Sequence, residues 1–168
     1  DRLLHSSPVP LAICPRGYRG SKSHGGVTRI TAAYPGTADS LHVVQRCAAL
    51  AEQLQIPLRV ITFAVRGRTM YPPEVGLDAE TSILQSWALA SREALAALKT
   101  NGVVGDDVTL QVVTGNGWDQ ALDAPEWDDG DLLAIGTSPQ GPIARVFLGS
   151  KGTKIVRHSP VPVLVLPN

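Results

Sequence analysis

No stretch of this chain holds the roughly 18–20 consecutive apolar residues of a membrane-spanning helix. Excess charge of one sign is absent too: fifteen Lys and Arg balance fifteen Asp and Glu across 168 residues. Nucleic-acid binding of the usual kind needs clustered Lys/Arg excess, so neither nucleic acid nor membrane is an expected partner. Aromatic residues make up only 5% of the chain. Cysteine is scarce, with Cys14 in a strand pattern and Cys47 on the apolar face of a helix pattern. Both are expected to be buried thiols in a reducing compartment, which points to the cytoplasm. A disulfide between them has no support in the sequence. No Gly-x-Ser-x-Gly elbow, Cys/His ligand pair or Walker-type Gly-x-x-x-x-Gly-Lys-Ser/Thr run occurs, so no catalytic residue and no metal site are expected. There is no signal peptide and the first residue is Asp1, so the chain reads as a piece of something longer.

What the chain does contain is one segment twice. Residues 1–15 read DRLLHSSPVPLAICP and residues 153–167 read TKIVRHSPVPVLVLP. At one constant offset, Ser7, Pro8, Val9, Pro10 and Pro15 match Ser159, Pro160, Val161, Pro162 and Pro167, and Leu3, Leu4, Leu11 and Ile13 match Ile155, Val156, Val163 and Val165. A helix end, a Ser-Pro-Val-Pro turn and a short apolar strand thus occur about one domain apart. The expected organisation is the last helix end and strand of a preceding domain over 1–15, a Gly/Ser/Arg-rich linker over 16–26, and a complete domain over 27–168.

Within that domain, strands and helices alternate. Strands are expected at 27–34, 58–65, 108–114, 131–135 and 162–166, where β-branched and apolar residues cluster. Leu41, Val44, Ala48 and Ala51 recur at helical spacing after a candidate cap at Ser40, with Cys47 and Leu54 beside them; Pro57 closes that element. The longest helix opens at Asp78, with an apolar stripe of Ile83, Trp87, Ala90, Ala94 and Leu98, and stops at Asn101-Gly102. A short helix through Ala121 and Leu122 and another from Ser150 to about His158 follow. This order predicts an α/β fold, an open five-stranded parallel sheet with helices on both faces. In such sheets ligands sit at the carboxyl ends of the strands, here the loops after Tyr34, Val65, Thr114 and Ile135; the long Gly/Pro loop over 66–77 is one of these. Asp128, Asp129 and Asp131 around Trp127, with Glu126, read as a solvated turn, Trp118 as packing, and His158 and His5 as cations at helix ends.

Residues 135–150 read IGTSPQGPIARVFLGS. Glycines after a strand let backbone approach a phosphate, and a helix N-terminus offers free N–H groups. The same glycines also suit a plain strand–loop–helix connection. The run DLLAIGTSPQGPIARVFLGSKGTKIVRHSPVPVLVLP resembles the C-terminal half of a universal stress protein domain, whose pattern is Gly-x-x-Gly, nine residues, Gly-Ser/Thr, a helix and a Pro-Val strand. The resemblance covers residues 27–167 and implies a tandem protein with 1–15 ending the first domain. It implies a nucleotide site at Gly136, Thr137, Gly149 and Ser150, with Lys151 adding charge. It also implies that the last strand pairs with its counterpart, in a homodimer or in a pseudo-dimer with the preceding domain, through Leu11, Ile13, Val163 and Val165. Leu11 to Cys14 would then lie antiparallel to Val163 to Leu166.

The chain departs from the family pattern twice. Pro139 stands where the second glycine belongs, and proline has no N–H for a phosphate; Gly141, two residues on, could carry a shifted turn. In the first strand-to-helix turn, Pro35-Gly36-Thr37 replaces Asp-Gly-Ser, so an imide ring stands where the family places a carboxylate near adenine. An unpaired purine donor costs about 1–3 kcal/mol, and a lost phosphate contact a comparable amount. ATP is the only cofactor implied, and the two departures imply that it binds weakly. A degenerate regulatory or assembly module is the favoured expectation. The alternatives are a working ATP-binding domain, with slow hydrolysis, or an α/β enzyme domain using the same crevice.

Overall fold

The structure is a computed structural model that describes residues 7–20, 25–66, 77–137 and 150–167. Six strands form one sheet: β1 (Leu11–Ile13), β2 (Arg29–Ala33), β3 (Leu58–Val65), β4 (Thr109–Gly115), β5 (Asp131–Gly136) and β6 (Val163–Leu166). Their spatial order is β1-β6-β5-β2-β3-β4. The five strands from β2 to β6 are parallel, as expected. The sixth, β1, is added antiparallel to β6. The helices are α1 (Leu41–Leu54), α2 (Leu77–Thr100), α3 (Trp118–Asp123) and α4 (Ser150–His158).

Alternating side-chain direction along each strand divides the core in two. On one face Ile30, Ala32, Val60 and Ala134 meet Val43, Val44 and Cys47 of α1 and Leu95 and Leu98 of α2. On the other, Leu133, Ile135, Val163 and Val165 meet Leu122 of α3 and Ile155 of α4. Each fully buried aliphatic side chain contributes about 1.5–3 kcal/mol. α1 ends where Gln55 turns left-handed, at φ 55°, with its N–H on the carbonyls of Ala51 and Glu52. α2 ends at Gly102, φ 70°, the expected stop, with the Val103 N–H returning to Leu98 O at 2.9 Å.

Four expectations need correction. Ser40 precedes α1 but makes no cap bond; its hydroxyl donates to Thr37 O at 2.7 Å inside a 3-10 turn, Ala38–Ser40. The stripe of α2 is rotated by one residue: Ala88, Ser91, Leu95 and Leu98 are buried, whereas Ile83 and Trp87 are about half exposed, at 53% and 49%. Two adjacent stripes of that helix are apolar, and periodicity cannot choose between them. Cys14 is exposed because it lies just past the end of an edge strand. Cys47 is buried as expected, and burial pushes its thiol pKa up to about 12.

The fourth correction concerns the acidic turn. Glu126, Asp128 and Asp129 are exposed, but Asp131 is 2% exposed. It takes a bidentate pair from Arg29, Nε and Nη2 each at 2.6 Å, and accepts the Asp128 N–H at 2.7 Å. Beside it the buried Arg59 donates to Thr31 Oγ1 and Glu126 O, at 3.1 and 2.9 Å, and stacks 4.8 Å from the centre of the Trp127 ring. Burial, and then Arg29, lower the Arg59 pKa; the hydrogen bond from Arg29 to Asp131 is the largest cause of the raised Arg29 value. This cluster ties the amino ends of β2, β3 and β5 together. Tyr18 joins it to the segment after β1 by donating to Asp129 O at 2.7 Å. His158 is tied to α3 through a contact of its Nδ1 with Asp119 Oδ1, and Trp118 packs against Phe63, their ring centres 6.2 Å apart. His5 lies outside the described residues.

Candidate functional site

β2 and β5 are neighbours, yet the chain leaves them towards opposite faces, to α1 and α4. This is the switch point of the sheet, where an open crevice forms at the carboxyl ends. One wall is the turn from Tyr34 to Ser40. Tyr34 is buried, which raises its hydroxyl pKa, and its carbonyl accepts from Thr62 Oγ1 at 2.7 Å. Pro35, Gly36 and Thr37 are exposed, with Gly36 at φ 83°, a conformation that favours glycine. The other wall is the end of β5. Gly136 lies so close to α1 that a Cβ there would overlap Val43 Cγ2 and come within 3.5 Å of His42 Nε2. Thr137 is buried, and its N–H donates to Leu166 O at 3.1 Å.

His42 completes the α1 side. Its Nδ1 meets Asp39 O at 2.7 Å. A carbonyl only accepts, so Nδ1 carries a proton in that contact. Nε2 is buried without a hydrogen-bond partner among the described residues. One turn on, Arg46 Nη1 donates to Pro167 O at 2.7 Å. A wall with one imidazole, one aliphatic side chain and a guanidinium behind it suits hydrogen bonding and packing. No cluster of metal-ligating side chains occurs among the described residues.

Residues 26–167 match the universal stress protein family. The chain belongs to that family. It is 64% identical over 167 residues to a universal stress protein of Mycobacterium tuberculosis, covering 99% of the chain and 56% of the relative. The chain therefore spans about half the length of the curated relatives it matches. Among solved structures it is similar to a universal stress protein from Lactobacillus plantarum, with a TM-score of 0.63, 17% identity, and coverage of 85% of this chain and 99% of that one. A second, with a TM-score of 0.51, 23% identity and coverage of 85% and 98%, is a universal stress protein in complex with cAMP. The α/β fold with its parallel sheet is shared with these neighbours.

The structure brings Pro35, Gly136 and Thr137 of this universal stress protein to the switch point. Lys151 is exposed on the first turn of α4, which Ser150 opens. Pro139, Gly141 and Gly149 lie outside the described residues, as does most of the loop over 66–77. Sequence reasoning missed His42 and Val43. Their signal was positional: the first turn of a helix that follows the switch-point strand must face the neighbouring strand end. A second recess, of about 270 Å³, lies at the end of β4 between Leu84, Thr114, Asn116, Gln120 and Ala124. No helix among the described residues is long and apolar enough to cross a membrane.

Proposed function

We propose that this chain is the second half of a tandem universal stress protein, a non-catalytic regulatory and assembly module whose switch-point crevice binds ATP only weakly. Residues 1–15 end the preceding domain, 16–26 link, and 27–168 form this one. One observation carries the assembly reading, the register of β1 on β6: Leu11↔Val165, Ala12↔Leu164, Ile13↔Val163. Ala12 and Leu164 are counterparts in the repeated segment. Leu11 pairs with the counterpart of Ile13, and Ile13 with the counterpart of Leu11. Such reciprocity is what a two-fold, isologous interface produces. The turns agree as well: Ser7 Oγ donates to Val9 O at 2.8 Å, and Ser159 Oγ to Val161 O at 2.7 Å.

In a tandem protein the same symmetry would extend to the hydrogen bonds of the preceding domain. Pro162 O and Leu166 O accept from Leu133 and Thr137 of this sheet. Their counterparts Pro10 and Cys14 would accept from the preceding domain in the same way, making one continuous sheet. Proline fits at both positions because only its carbonyl is used. The mycobacterial relatives, with nearly as much sequence again outside the match, support a two-domain protein. Removing residues 1–15 bares the β6 edge, so the shortened chain should self-associate beyond the state of the intact chain. An unchanged state in sedimentation velocity would sink this assembly reading.

Weak ATP binding is supported by Pro35 in place of a carboxylate, by the side chain of Val43 against Gly136, and by the Thr137 N–H already engaged with Leu166 O. Two weakened contacts of about 1–3 kcal/mol each move a micromolar affinity towards the millimolar range. Calorimetric titration of ATP with Mg²⁺ should show no saturation below about 1 mM. Pro35→Asp should tighten binding by about ten-fold, the value of roughly 1.4 kcal/mol. The cAMP complex of a related protein favours a second reading, a working adenine-nucleotide domain. Micromolar ATP binding that is lost on Ser150→Ala would establish it in place of the first.

A further inference from the structure

We propose that Asn116 is a site of spontaneous covalent modification: the Gly117 nitrogen attacks its side-chain amide, ammonia leaves, and the product loosens the junction of β4 and α3. Asparagine is among the thermolabile residues. A glycine after it leaves no Cβ to obstruct the approach of the glycine nitrogen to the asparagine Cγ. The chain contains two such pairs, Asn101-Gly102 and Asn116-Gly117. The fold holds one of them closed and leaves the other free to react.

Asn101 and Gly102 form the stop of α2. The Asn101 N–H donates to Ala97 O at 2.8 Å, the Gly102 N–H to Lys99 O at 3.0 Å, and the Val103 N–H to Leu98 O at 2.9 Å. The Gly102 nitrogen can attack only after this cap has opened. Asn116 is exposed where the chain leaves β4. Its own N–H is held by Gln120 Oε1 at 2.6 Å, but its side chain makes no hydrogen bond among the described residues. The Gly117 N–H makes none either. Gly117 stands at φ 128°, outside both strand and helix, so its nitrogen has no cap to leave.

The Gly117 nitrogen gives its proton to solvent base and bonds to Asn116 Cγ, closing a five-membered imide. The bond from Cγ to Nδ2 breaks, and the amide takes up a proton and leaves as ammonia. Water then opens the ring at either carbonyl. One opening gives aspartate; the other gives an isoaspartyl linkage, in which the backbone runs through Cβ and Cγ. Both products add a carboxylate to the rim of the recess that Asn116 shares with Leu84, Thr114 and Gln120. The isoaspartyl form also lengthens the connection from β4 to α3. That connection has no slack: a Cβ at Gly115 would stand 2.6 Å from Ala121 N, and the next residue, Leu122, is fully buried.

The test is peptide mapping by mass spectrometry of the folded chain, held in warm, mildly alkaline buffer. Asn116 should convert about ten-fold faster than Asn101, the effect of a hydrogen-bonded cap that must first open. Its products should include both aspartyl and isoaspartyl peptides. Unfolded in denaturant, the same chain should convert the two sites at similar rates, because glycine follows both. The melting temperature of the folded chain should fall as Asn116 converts. Asn116→Gln keeps an amide but would need a larger ring, so that variant should hold its melting temperature, whereas Asn101→Gln should lose it as the wild type does. Equal rates at the two sites in the folded chain, faster conversion at Asn101, an Asn116 that stays intact while the unfolded chain converts, or a converted chain as stable as the fresh one would each overturn the proposal.

Discussion

Asp131→Ala should destabilise the fold by about 3–5 kcal/mol, the range for breaking a buried ion pair by removing one partner. Asp131 is almost fully buried and receives both forks of Arg29 at 2.6 Å. Without it, two guanidinium groups face each other at the amino ends of β2 and β3 with no carboxylate between them. Arg29 keeps Glu126 O, at 3.1 Å, and a partly solvated contact with Asp128 at 3.6 Å. Arg59 is worse placed. Its side chain is 5% exposed and its Nη2 is already without a hydrogen-bond partner among the described residues, 4.0 Å from Asp131 Oδ2. Chemical denaturation of Asp131→Ala and Asp131→Asn separates the contributions: the single amide oxygen keeps the Asp128 N–H bond, while the charge and the acceptor for Arg29 Nε are lost. The full loss should appear in alanine and a smaller one in asparagine. Arg29→Met in the Asp131→Ala background should cost much less than in the wild type, because the two side chains act as one unit. Equal costs in both backgrounds would mean that solvent, and not the pair, already balances Arg29.

The strands were readable because the signal that makes them also places them. Leu58–Val65 is apolar apart from Arg59 and Thr62 because α1 and α2 cover one side and Trp118 and its neighbours the other. The repeat predicted β1 against β6, and the pairing has the register a two-fold would impose. Asp131 was unreadable for a physical reason. Its partner Arg29 lies 102 residues away, and in a run of Glu, Asp and Gly nothing local distinguishes the buried carboxylate from its solvated neighbours. Cys14 failed in the opposite way: an apolar strand at a sheet edge is covered on one side only, and the residue past its end is not covered at all. The candidate site was half legible. Gly136 and Pro35 were reached through the resemblance to the family pattern, but His42 and Val43 matter because of the distance between α1 and β5, which no one-dimensional pattern encodes.

That distance makes Gly136→Ala the second large effect, a loss of about 1–3 kcal/mol from overpacking. Alanine would normally gain here. Gly136 has no positive φ, and replacing glycine at a compatible position stabilises by about 0.4–1 kcal/mol through the unfolded chain. The steric cost should win because the obstruction is not a flexible tip. Val43 Cγ2 would overlap the new methyl, and Val43 is 1% exposed and held in the core between α1 and the sheet. α1 would have to lift at its first turn, where His42 and the turn from Pro35 to Ser40 form the crevice wall. Thermal unfolding of Gly136→Ala with and without Val43→Ala checks this. Trimming Val43 vacates the volume that the new methyl needs, so the alanine at 136 should be tolerated, or become mildly stabilising, in that background. A penalty of the same size in both backgrounds would rule out the Val43 contact as its cause. Glycine at the end of β5 would then be required by the loop that follows it. In the expected case the close approach of Val43 to Gly136 is what ties the crevice wall on the α1 side to the core.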